Sequence, residues 1–278
     1  MTILNIRAYF QSAKWIKISA KILINPSLYL FPKWILSKAD PETGVVESFI
    51  YKLGNAHSNQ LLLDAGAGNF RFKELLIQKG YTYESQDFDQ VFERSARGKH
   101  TYTCDISEIP VGSNHFDIVI CTQVLEHLAS PSQVFEEFFR ILKPDGTLIL
   151  TTNFMFPIHG EPYDFFRFTP YGLKYLCEKS GFSNIEITPR GGFFSFWAKI
   201  IFDFPAIIKS WLFYGGVNPH GQRKIVIRFP LLAILLLPII FVLDISCTIL
   251  AFLTTLVDPL DRKSRFTLGY QLFAKRNY

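Results

Sequence analysis

The sequence has few cysteines, and their arrangement does not suit a metal. Only four occur among 278 residues, and no two of them form a CxxC motif. The chain therefore lacks the ligand spacing of a structural zinc site, and we expect no metal centre. Isolated cysteines are typical of reduced thiols in a reducing compartment. The four are Cys104, Cys121, Cys177 and Cys247.

Runs of basic residues are also missing. The net charge is +5, yet the lysines and arginines are scattered along the chain. Nucleic-acid-binding proteins usually concentrate such residues in one patch, so we expect no nucleic-acid partner. A mild and dispersed basic bias fits a membrane surface with anionic lipids better.

A signal peptide is not expected either. Residues 1–38 have no uninterrupted apolar core followed by a small-residue cleavage site. Instead, Lys14, Lys17 and Lys21 recur at helical spacing opposite apolar side chains, which predicts a basic amphipathic helix within residues 1–40. Such a helix could lie on a membrane surface or pack on the rest of the protein, and the pattern leaves both open.

A short apolar stretch followed by two glycines is the main motif. Leu61–Leu63 predicts a buried strand, Asp64 follows it, and Gly66 and Gly68 come next, before a helical pattern that begins at about Phe70. A strand, a glycine turn and a helix present backbone amides to a ligand at the carboxyl end of the strand. Glycine is needed there because a Cβ would collide with the ligand.

Predicted strands and helices then alternate along the chain, which indicates βαβ units and a parallel sheet of the α/β class. The predicted strands are 61–63, 81–85, 101–104, 116–121, 147–152 and 184–188, with helices at 41–56, from about 70, at 132–142 and at 171–180.

The absence of a third glycine in this turn reduces the number of ligand classes that the motif could bind. The dinucleotide fingerprint requires glycine three residues after the second one, and this chain has Arg71 there. A phosphate-binding loop is excluded because no Gly-Lys-Ser/Thr follows. An acid about 20 residues beyond the glycine turn is placed to bond a ribose. Asp87 is the first candidate and Asp89 the second, although one of them could simply cap the next helix.

Five motifs taken together resemble the class I S-adenosylmethionine-dependent methyltransferases, most closely the type 11 group. The resemblance spans about residues 45–190 and the C-terminal strand. It implies a Rossmann-like sheet of seven strands whose last strand is antiparallel, and 266–274 fits that strand. The motifs are Asp64–Gly68, Asp87, Asp105–Ile106, Phe116–Val119 with Glu126–His127, and Leu142–Gly146.

The resemblance implies S-adenosylmethionine as the cofactor and gives a role to each matching position. Where some family members carry a third glycine this chain has Phe70, which leaves the local shape of the turn open. The implied contacts are Gly66 and Gly68 against the methionine part, Asp64 orienting the turn and the amino group, Asp87 on the ribose, Asp105 and Ile106 at the adenine, and Gln123 beside the ligand.

The stretch 153–170 is expected to cover the ligand crevice, because it follows the fifth predicted strand. It resembles a segment of bacterial type 11 methyltransferases whose genes accompany surface-polysaccharide genes. His159 is the best candidate for a base, whereas His127 more readily helps a helix to start. Asp164 and Arg167 could shape the loop as an ion pair. The substrate-loop candidates are Glu161, Tyr163, Asp164 and Arg167.

Residues 193–262 form an apolar insertion before the last strand. Within it, 229–257 is long and apolar enough to suggest a membrane span. A single crossing would separate the last strand from its sheet, and Pro238 and Asp244 favour a bend. We expect a monotopic hairpin or in-plane helices on the cytoplasmic face of the inner membrane. A buried helix pair is the alternative.

The sequence thus predicts a membrane-associated methyltransferase whose acceptor is an oxygen or nitrogen of a saccharide or lipid-linked glycan. An isoprenoid quinone or another lipid is the alternative acceptor. A third possibility is a membrane scaffold that binds S-adenosylmethionine without turnover. The predicted segments are 1–40, the methyltransferase domain 41–192, the insertion 193–262, and 263–278 with the final strand.

Overall fold

The structure is a computed structural model, and it describes residues 25–41, 50, 53–57, 59–88, 100–217, 223–225, 230–261 and 265–277. The predicted N-terminal amphipathic helix, most of the predicted helix at 41–56 and the alternative ribose ligand Asp89 lie outside the described residues. The chain divides into two compact units. One comprises residues 45–192 and 263–278, and we call it the sheet unit; the other comprises 1–44 and 193–262, and we call it the helical unit.

Nine strands and seven helices are assigned in the described residues. The strands are β1 (Leu61–Ala65), β2 (Thr82–Asp87), β3 (Tyr102–Thr103), β4 (Phe116–Thr122), β5 (Leu142–Asn153), β6 (Phe182–Pro189), β7 (Tyr214–Val217), β8 (Arg223–Ile225) and β9 (Gly269–Arg276). The helices are α1 (Ser27–Leu30), α2 (Lys33–Ala39), α3 (Lys73–Gln78), α4 (Pro131–Ile141), α5 (Pro170–Lys179), α6 (Phe193–Phe213) and α7 (Pro230–Leu256).

The sheet unit is built on a seven-stranded sheet in the order β3-β2-β1-β4-β5-β9-β6. The pairs among β1 to β5 are parallel, and β9 runs antiparallel to both β5 and β6. The predicted α/β class and the antiparallel last strand are therefore confirmed. Leu63 and Val119 are buried in one core cluster and their chain neighbours Leu62 and Ile118 in another, as expected for parallel strands covered on both faces.

The register of the central strands brings their carboxyl ends to one edge. Ala65 at the end of β1 lies opposite Gln86 of β2 and Cys121 of β4. The residues that follow these strands must therefore converge at that edge, as expected for the ligand crevice of an open α/β sheet.

β5 is longer than predicted. The predicted turn at 143–146 lies inside it, as a bulge. Phe116 pairs with Leu142, but two residues later Ile118 pairs with Thr147, so the four intervening residues have no partner on β4. The sequence predicted these four residues as a turn between the helix 132–142 and the fifth strand, and the structure instead places them within the strand.

The helical unit contains an antiparallel pair of long helices. Ser195 near the start of α6 bonds Asp258 just beyond α7, whereas Lys209 near the end of α6 bonds Asp244 in the middle of α7. A rising number on one helix is matched by a falling number on the other, so the helices run in opposite directions. The antiparallel pair β7–β8 lies between them in sequence.

The apolar segment is not divided into two helices at Pro238 or Asp244. α7 is one helix of 27 residues that includes Pro238 and Asp244. The reason at Asp244 is a partner that the sequence could not identify, because Lys209 Nζ lies 2.8 Å from its Oδ1 and both side chains are buried. Among the described residues, one helical stretch, Leu235–Leu260, is long and apolar enough to cross a membrane.

Candidate functional site

The glycine turn after β1 requires glycine at position 66 because a side chain there would collide with another residue of the protein. Gly66 has a φ of +72°, and a Cβ there would lie 2.4 Å from Cγ2 of Val124. Its amide donates to the carbonyl of Gln86 at 2.9 Å. Gly68 also has a positive φ, of +51°, but a Cβ there would meet nothing within 4 Å. The open side of the turn is therefore at Gly68.

Asp87 ends β2 and fixes the turn from the side. The amide of Gly68 donates to its Oδ2 at 2.6 Å, and the amide of Phe88 donates to its Oδ1 at 2.7 Å. A carboxylate keeps further lone pairs after two such bonds, so it can still accept from ligand hydroxyls. Asp87, the first candidate from the sequence, thus lies next to the glycine turn, and its ribose role stays a prediction.

Asp64 lies beneath the turn rather than on the cavity wall. It is 2% exposed, and the hydroxyl of Tyr83 donates to its Oδ2 at 2.8 Å. Burial raises the pKa of this carboxyl to about 6; the hydrogen bond from Tyr83 lowers it, and the charge of Asp87 raises it further. Asp64 can therefore act on a ligand through its charge more readily than through contact.

Asp105 and Ile106 follow β3 at the same edge. The Oδ1 of Asp105 accepts from the amide and the hydroxyl of Ser107, at 2.8 Å and 2.7 Å, which holds the loop in a tight turn. Ile106 is buried and offers an apolar surface beside the acid. An acid next to an apolar side chain suits a flat ring that carries an amino group.

Gln123 follows β4 with a φ of +57°. In the amide orientation that satisfies both ends, its nitrogen donates to Asn153 Oδ1 at 2.6 Å and its oxygen accepts from Thr151 Oγ1 at 3.0 Å. These bonds fix the side chain at the cavity wall.

A cavity of about 540 Å³ joins these positions. Six of the seven cofactor residues named from the sequence line it, the exception being Asp64. This volume falls within the usual range of small-molecule sites. Residues on the wall include Gly66, Gly68, Asp87, Asp105, Ile106, Gln123, Val124, His127, Leu128, Ser130, Gln133, Tyr163 and Phe165.

The histidine on the cavity wall is His127, and His159 is not among the lining residues. His127 lies in a 3₁₀ turn after β4, with its Nδ1 at 2.7 Å from the carbonyl oxygen of Tyr163. A carbonyl can only accept, so Nδ1 carries the proton and Nε2 the lone pair of the neutral ring. The ring of His159 packs against it at 4.7 Å between centroids.

The loop 153–170 is held by an ion pair. Arg167 donates to both carboxylate oxygens of Asp164, at 2.6 Å and 2.7 Å, and to the carbonyl of Pro157. The guanidinium of Arg167 holds the pKa of Asp164 far below its usual range. This pair shapes the loop, as one of the two interpretations of the sequence expected. Glu161 is exposed and Tyr163 reaches the cavity wall.

A buried polar network behind the cavity was missed by sequence reasoning. Glu126 is fully buried and accepts from Thr152 Oγ1 and Asn153 Nδ2, each at 2.8 Å. Asn153 Oδ1 accepts in turn from Arg190, which is also fully buried. The side-chain amide of Asn153 thus links the carboxyl group of Glu126 to the guanidinium of Arg190. Of these residues, only Glu126 had been singled out in the sequence, as part of the Glu126–His127 motif.

Glu126, His127 and His159 bring one potential ligand atom each within 4.8 Å of the others. Both oxygens of Glu126 already accept hydrogen bonds from neutral donors. We therefore interpret the group as a histidine pair beside a buried carboxylate. The main-chain carbonyl of Glu126 also accepts from the amide of Phe165 at 2.9 Å, which ties the 153–170 loop to this turn.

Comparison with known proteins finds similarity to methyltransferases, both in a family model and in curated relatives. A family model described as a methyltransferase domain, of type 11, matches residues 63–150. Two curated relatives are ubiquinone biosynthesis O-methyltransferases. One, from Psychrobacter arcticus, is 25% identical over 154 residues, which cover 45% of this chain and 60% of the relative. The other, from Coxiella burnetii, is 28% identical over 152 residues, which cover 46% and 65%.

A solved structure with a similar fold is that of the [4+2]-cyclase SpnF, with a TM-score of 0.52 and 14% identity over 84% of this chain and 80% of that one. The chain spans less than two thirds of the length of the curated relatives. At this identity the structural likeness concerns the fold alone.

Proposed function

The chain carries a class I S-adenosylmethionine-dependent methyltransferase domain, and we propose that the protein transfers the methyl group of S-adenosylmethionine to a hydroxyl acceptor at a membrane. The observation that carries this proposal is a cavity at the carboxyl edge of the sheet. There the glycine turn lies beside the carboxylates of Asp87 and Asp105. The cofactor supplies a methyl group on a sulfonium, so the protein has to position it, exclude water and accept a proton.

The cofactor half of the proposal rests on complementary chemistry. Asp87 can accept from two ribose hydroxyls while it still holds the amide of Gly68. Asp105 can accept from an exocyclic amino group while Ile106 packs on the ring. Asp64, buried beneath the turn, adds negative charge near a cofactor that is a cation.

On the acceptor side we propose His127 as the general base. A hydroxyl must lose its proton as it takes the methyl group. The hydrogen bond to the carbonyl of Tyr163 favours the tautomer of His127 that carries the lone pair on Nε2, the atom that would take the proton. His159, the base candidate from the sequence, lies behind it and is better suited to position the ring of His127.

A saccharide hydroxyl, on a free or lipid-linked glycan, is our first choice of acceptor. The mouth of the cavity is formed in part by Tyr163 and Phe165, which are both about half exposed. Exposed aromatic rings beside Ser130 and Gln133 offer both a stacking surface and hydrogen bonds, and this combination suits a sugar.

A phenolic lipid of the isoprenoid quinone type is the second candidate. Two observations favour it: curated relatives act as O-methyltransferases in ubiquinone biosynthesis, and much of the cavity wall is apolar, including Val124, Leu128 and Val134. The apolar composition of the helical unit supports a membrane location for either acceptor.

Labelling of the natural acceptor tests the proposal. Membranes of the source cell are incubated with methyl-labelled S-adenosylmethionine and the protein, and then lipids and glycans are separated. Label in a glycan fraction supports the first acceptor, whereas label in a small phenolic lipid replaces it by the second. The control is Gly66→Val, which should give no label because the turn cannot form.

Binding without transfer would overturn the proposed activity. If the protein binds S-adenosylmethionine but labels neither fraction, a scaffold without turnover is the better description. The similarity to a cyclase makes this control necessary, because the fold by itself does not determine the reaction.

A further inference from the structure

The long helix α6 presents one apolar stripe to its surroundings. Five large side chains along it are between 39% and 60% exposed. They recur at intervals of four, three, four and three residues, which places them on one face of a helix. The five are Phe193, Trp197, Ile200, Phe204 and Ile207.

α7 and the turn after it carry a second stripe of the same kind. Between 235 and 260 the exposed large side chains are all aliphatic, and Leu235 reaches 72% exposure. Most of them recur at intervals of three or four residues. They are Leu235, Ile239, Val242, Ile249, Leu250, Leu253, Leu256, Val257 and Leu260.

The charged side chains of this hairpin point inward. Lys209 Nζ lies 2.8 Å from Asp244 Oδ1 and donates to Asn25 Oδ1 at 2.9 Å, and both members of the ion pair are buried. Lys199 is buried between Asp203, at 3.0 Å, and Asp40, at 3.2 Å.

This polarity is the reverse of that of a water-soluble helix pair. Where the structure describes side chains of the hairpin, at 193–210 and 235–261, every charged residue is buried or half-buried and the exposed large residues are apolar. Water would favour the opposite arrangement, because exposed apolar area of this extent is rare on soluble monomers. A hydrocarbon environment favours the observed one, since ionisable groups inside a membrane pair with each other.

We propose that residues 193–261 form a lipid-inserted helical hairpin whose two apolar stripes contact the acyl chains of a bilayer. A second copy of the chain fits the surface less well, because a protein interface keeps a polar rim. Here the described parts of both helices lack an exposed charge over their whole length. Exposed Leu28, Leu30 and Trp34 of the packed N-terminal helices widen the same apolar surface.

The sheet topology adds that the hairpin enters and leaves the bilayer on one side. The strand before it, β6, pairs with the strand after it, β9, with Pro189 opposite Tyr270. Both ends of the hairpin are therefore tied to neighbouring positions of one sheet. α6 has 21 residues, and at 1.5 Å per residue it reaches about 30 Å, so both helices can enter deeply and return.

Vesicle flotation of the untagged full chain tests this proposal. The vesicles contain phosphatidylcholine with a minority of phosphatidylglycerol, and the buffer contains high salt to remove headgroup attraction. We expect the wild type to float with the vesicles and to be released by detergent. The variant Ile239→Lys/Leu253→Lys should lower the floating fraction at least tenfold. Ile77→Lys is the matched control, since Ile77 is 50% exposed on the sheet unit.

Two outcomes would overturn the proposal. Release of the wild type by salt alone would reduce the contact to electrostatic attraction. A discrete dimer without lipid, lost in the Ile239→Lys/Leu253→Lys variant, would make the second copy the occupant. S-adenosylmethionine affinity, measured on the same samples, should be equal in all variants, so this test fails or succeeds independently of the proposed methyl transfer.

Discussion

At the scale of single residues, the glycine turn shows how one hydrogen atom in place of a methyl group determines a binding site. Gly66 is required because Val124 fills the space of its Cβ. Gly68 faces open space and is favoured by its left-handed backbone conformation, which Phe70 and Gln123 also adopt. The sequence suggested one reason for both, namely close approach of a ligand. The structure gives two different reasons.

We expect Gly66→Ala to weaken S-adenosylmethionine binding by at least a hundredfold, because the new Cβ would lie 2.4 Å from Val124 Cγ2. Isothermal titration measures the affinity. The second variant Gly66→Ala/Val124→Ala should recover part of it by removing the collision. Gly54→Ala is the control, since a Cβ there meets nothing within 4 Å. Equal affinity in Gly66→Ala and Gly54→Ala would contradict this account.

The buried carboxyl of Asp64 should make cofactor binding depend on pH. Its pKa is raised to about 6, so the group is neutral at low pH and becomes charged as the pH rises through 6. A cationic cofactor binds the charged form better. Affinity should therefore increase between about pH 5 and pH 7, and Asp64→Asn should flatten the profile. A slope that Asp64→Asn leaves unchanged would assign the effect to another group.

The same shift has a consequence for folding. The folded pKa lies above the unfolded value, so the protonated form is favoured in the folded state, and this contribution is full at low pH and is lost as the pH rises through about 6. The loss is about 3 kcal/mol at pH 7, at about 1.4 kcal/mol per unit. Denaturant unfolding of the wild type and Asp64→Asn at several pH values measures it.

The two histidines should differ in their effect on turnover. We expect His127→Ala to lower kcat by about 10²–10⁴-fold, the usual contribution of a general base, with unchanged S-adenosylmethionine affinity. His159→Ala should cost less than tenfold, because its ring packs on that of His127 and is not among the residues that line the cavity. A larger loss in His159→Ala would return the role to His159.

At the scale of elements, two ion pairs fix the positions of a loop and of a helix pair, and the sequence pattern does not predict either contact. Arg167 and Asp164 fix the loop over the cavity, and Lys209 with Asp244 joins the two long helices. α7 continues through Asp244 without a break for this reason. A carboxylate in an apolar run breaks a helix only if no partner satisfies it.

We expect Asp244→Leu to destabilise the protein by about 3–5 kcal/mol, because Lys209 would remain as a buried charge without its carboxylate. Lys209→Met/Asp244→Leu should recover most of the loss, since a buried ion pair can be replaced by apolar residues of similar volume. Thermal unfolding in detergent measures both.

The control for this pair is Lys174→Met. Lys174 lies 3.6 Å from Glu178, and both side chains are more than half exposed, so its loss should change stability by less than 1 kcal/mol. An equal effect of Asp244→Leu and Lys174→Met would contradict a buried pair.

At the scale of the whole molecule, the apolar hairpin 193–261 is inserted between two adjacent strands, β6 and β9. Because β6 and β9 are antiparallel neighbours, a short turn can in principle replace everything between them. The sheet holds its own core, and the residues of the proposed cofactor site all lie within 64–123.

Replacing 193–261 by a short turn should therefore give a protein that no longer floats with vesicles and still binds S-adenosylmethionine within about threefold of the wild type. Flotation and isothermal titration measure the two properties separately. Retained flotation would assign membrane binding to the basic residues 1–40 instead. Loss of cofactor binding together with an unfolded circular dichroism spectrum would show that the sheet unit needs residues 193–261 in order to fold.

The sequence by itself determined the α/β class, because strand periodicity and glycine turns are local signals. The resemblance to a known family supplied the antiparallel last strand and the candidate cofactor positions, and the roles of those positions stay predictions. Only the tertiary structure decided which histidine reaches the cavity, how Arg190 and Glu126 share one amide, and why Asp244 fits inside a helix. Those contacts join residues 27 to 37 positions apart in the chain, and a one-dimensional pattern holds no information on such pairs.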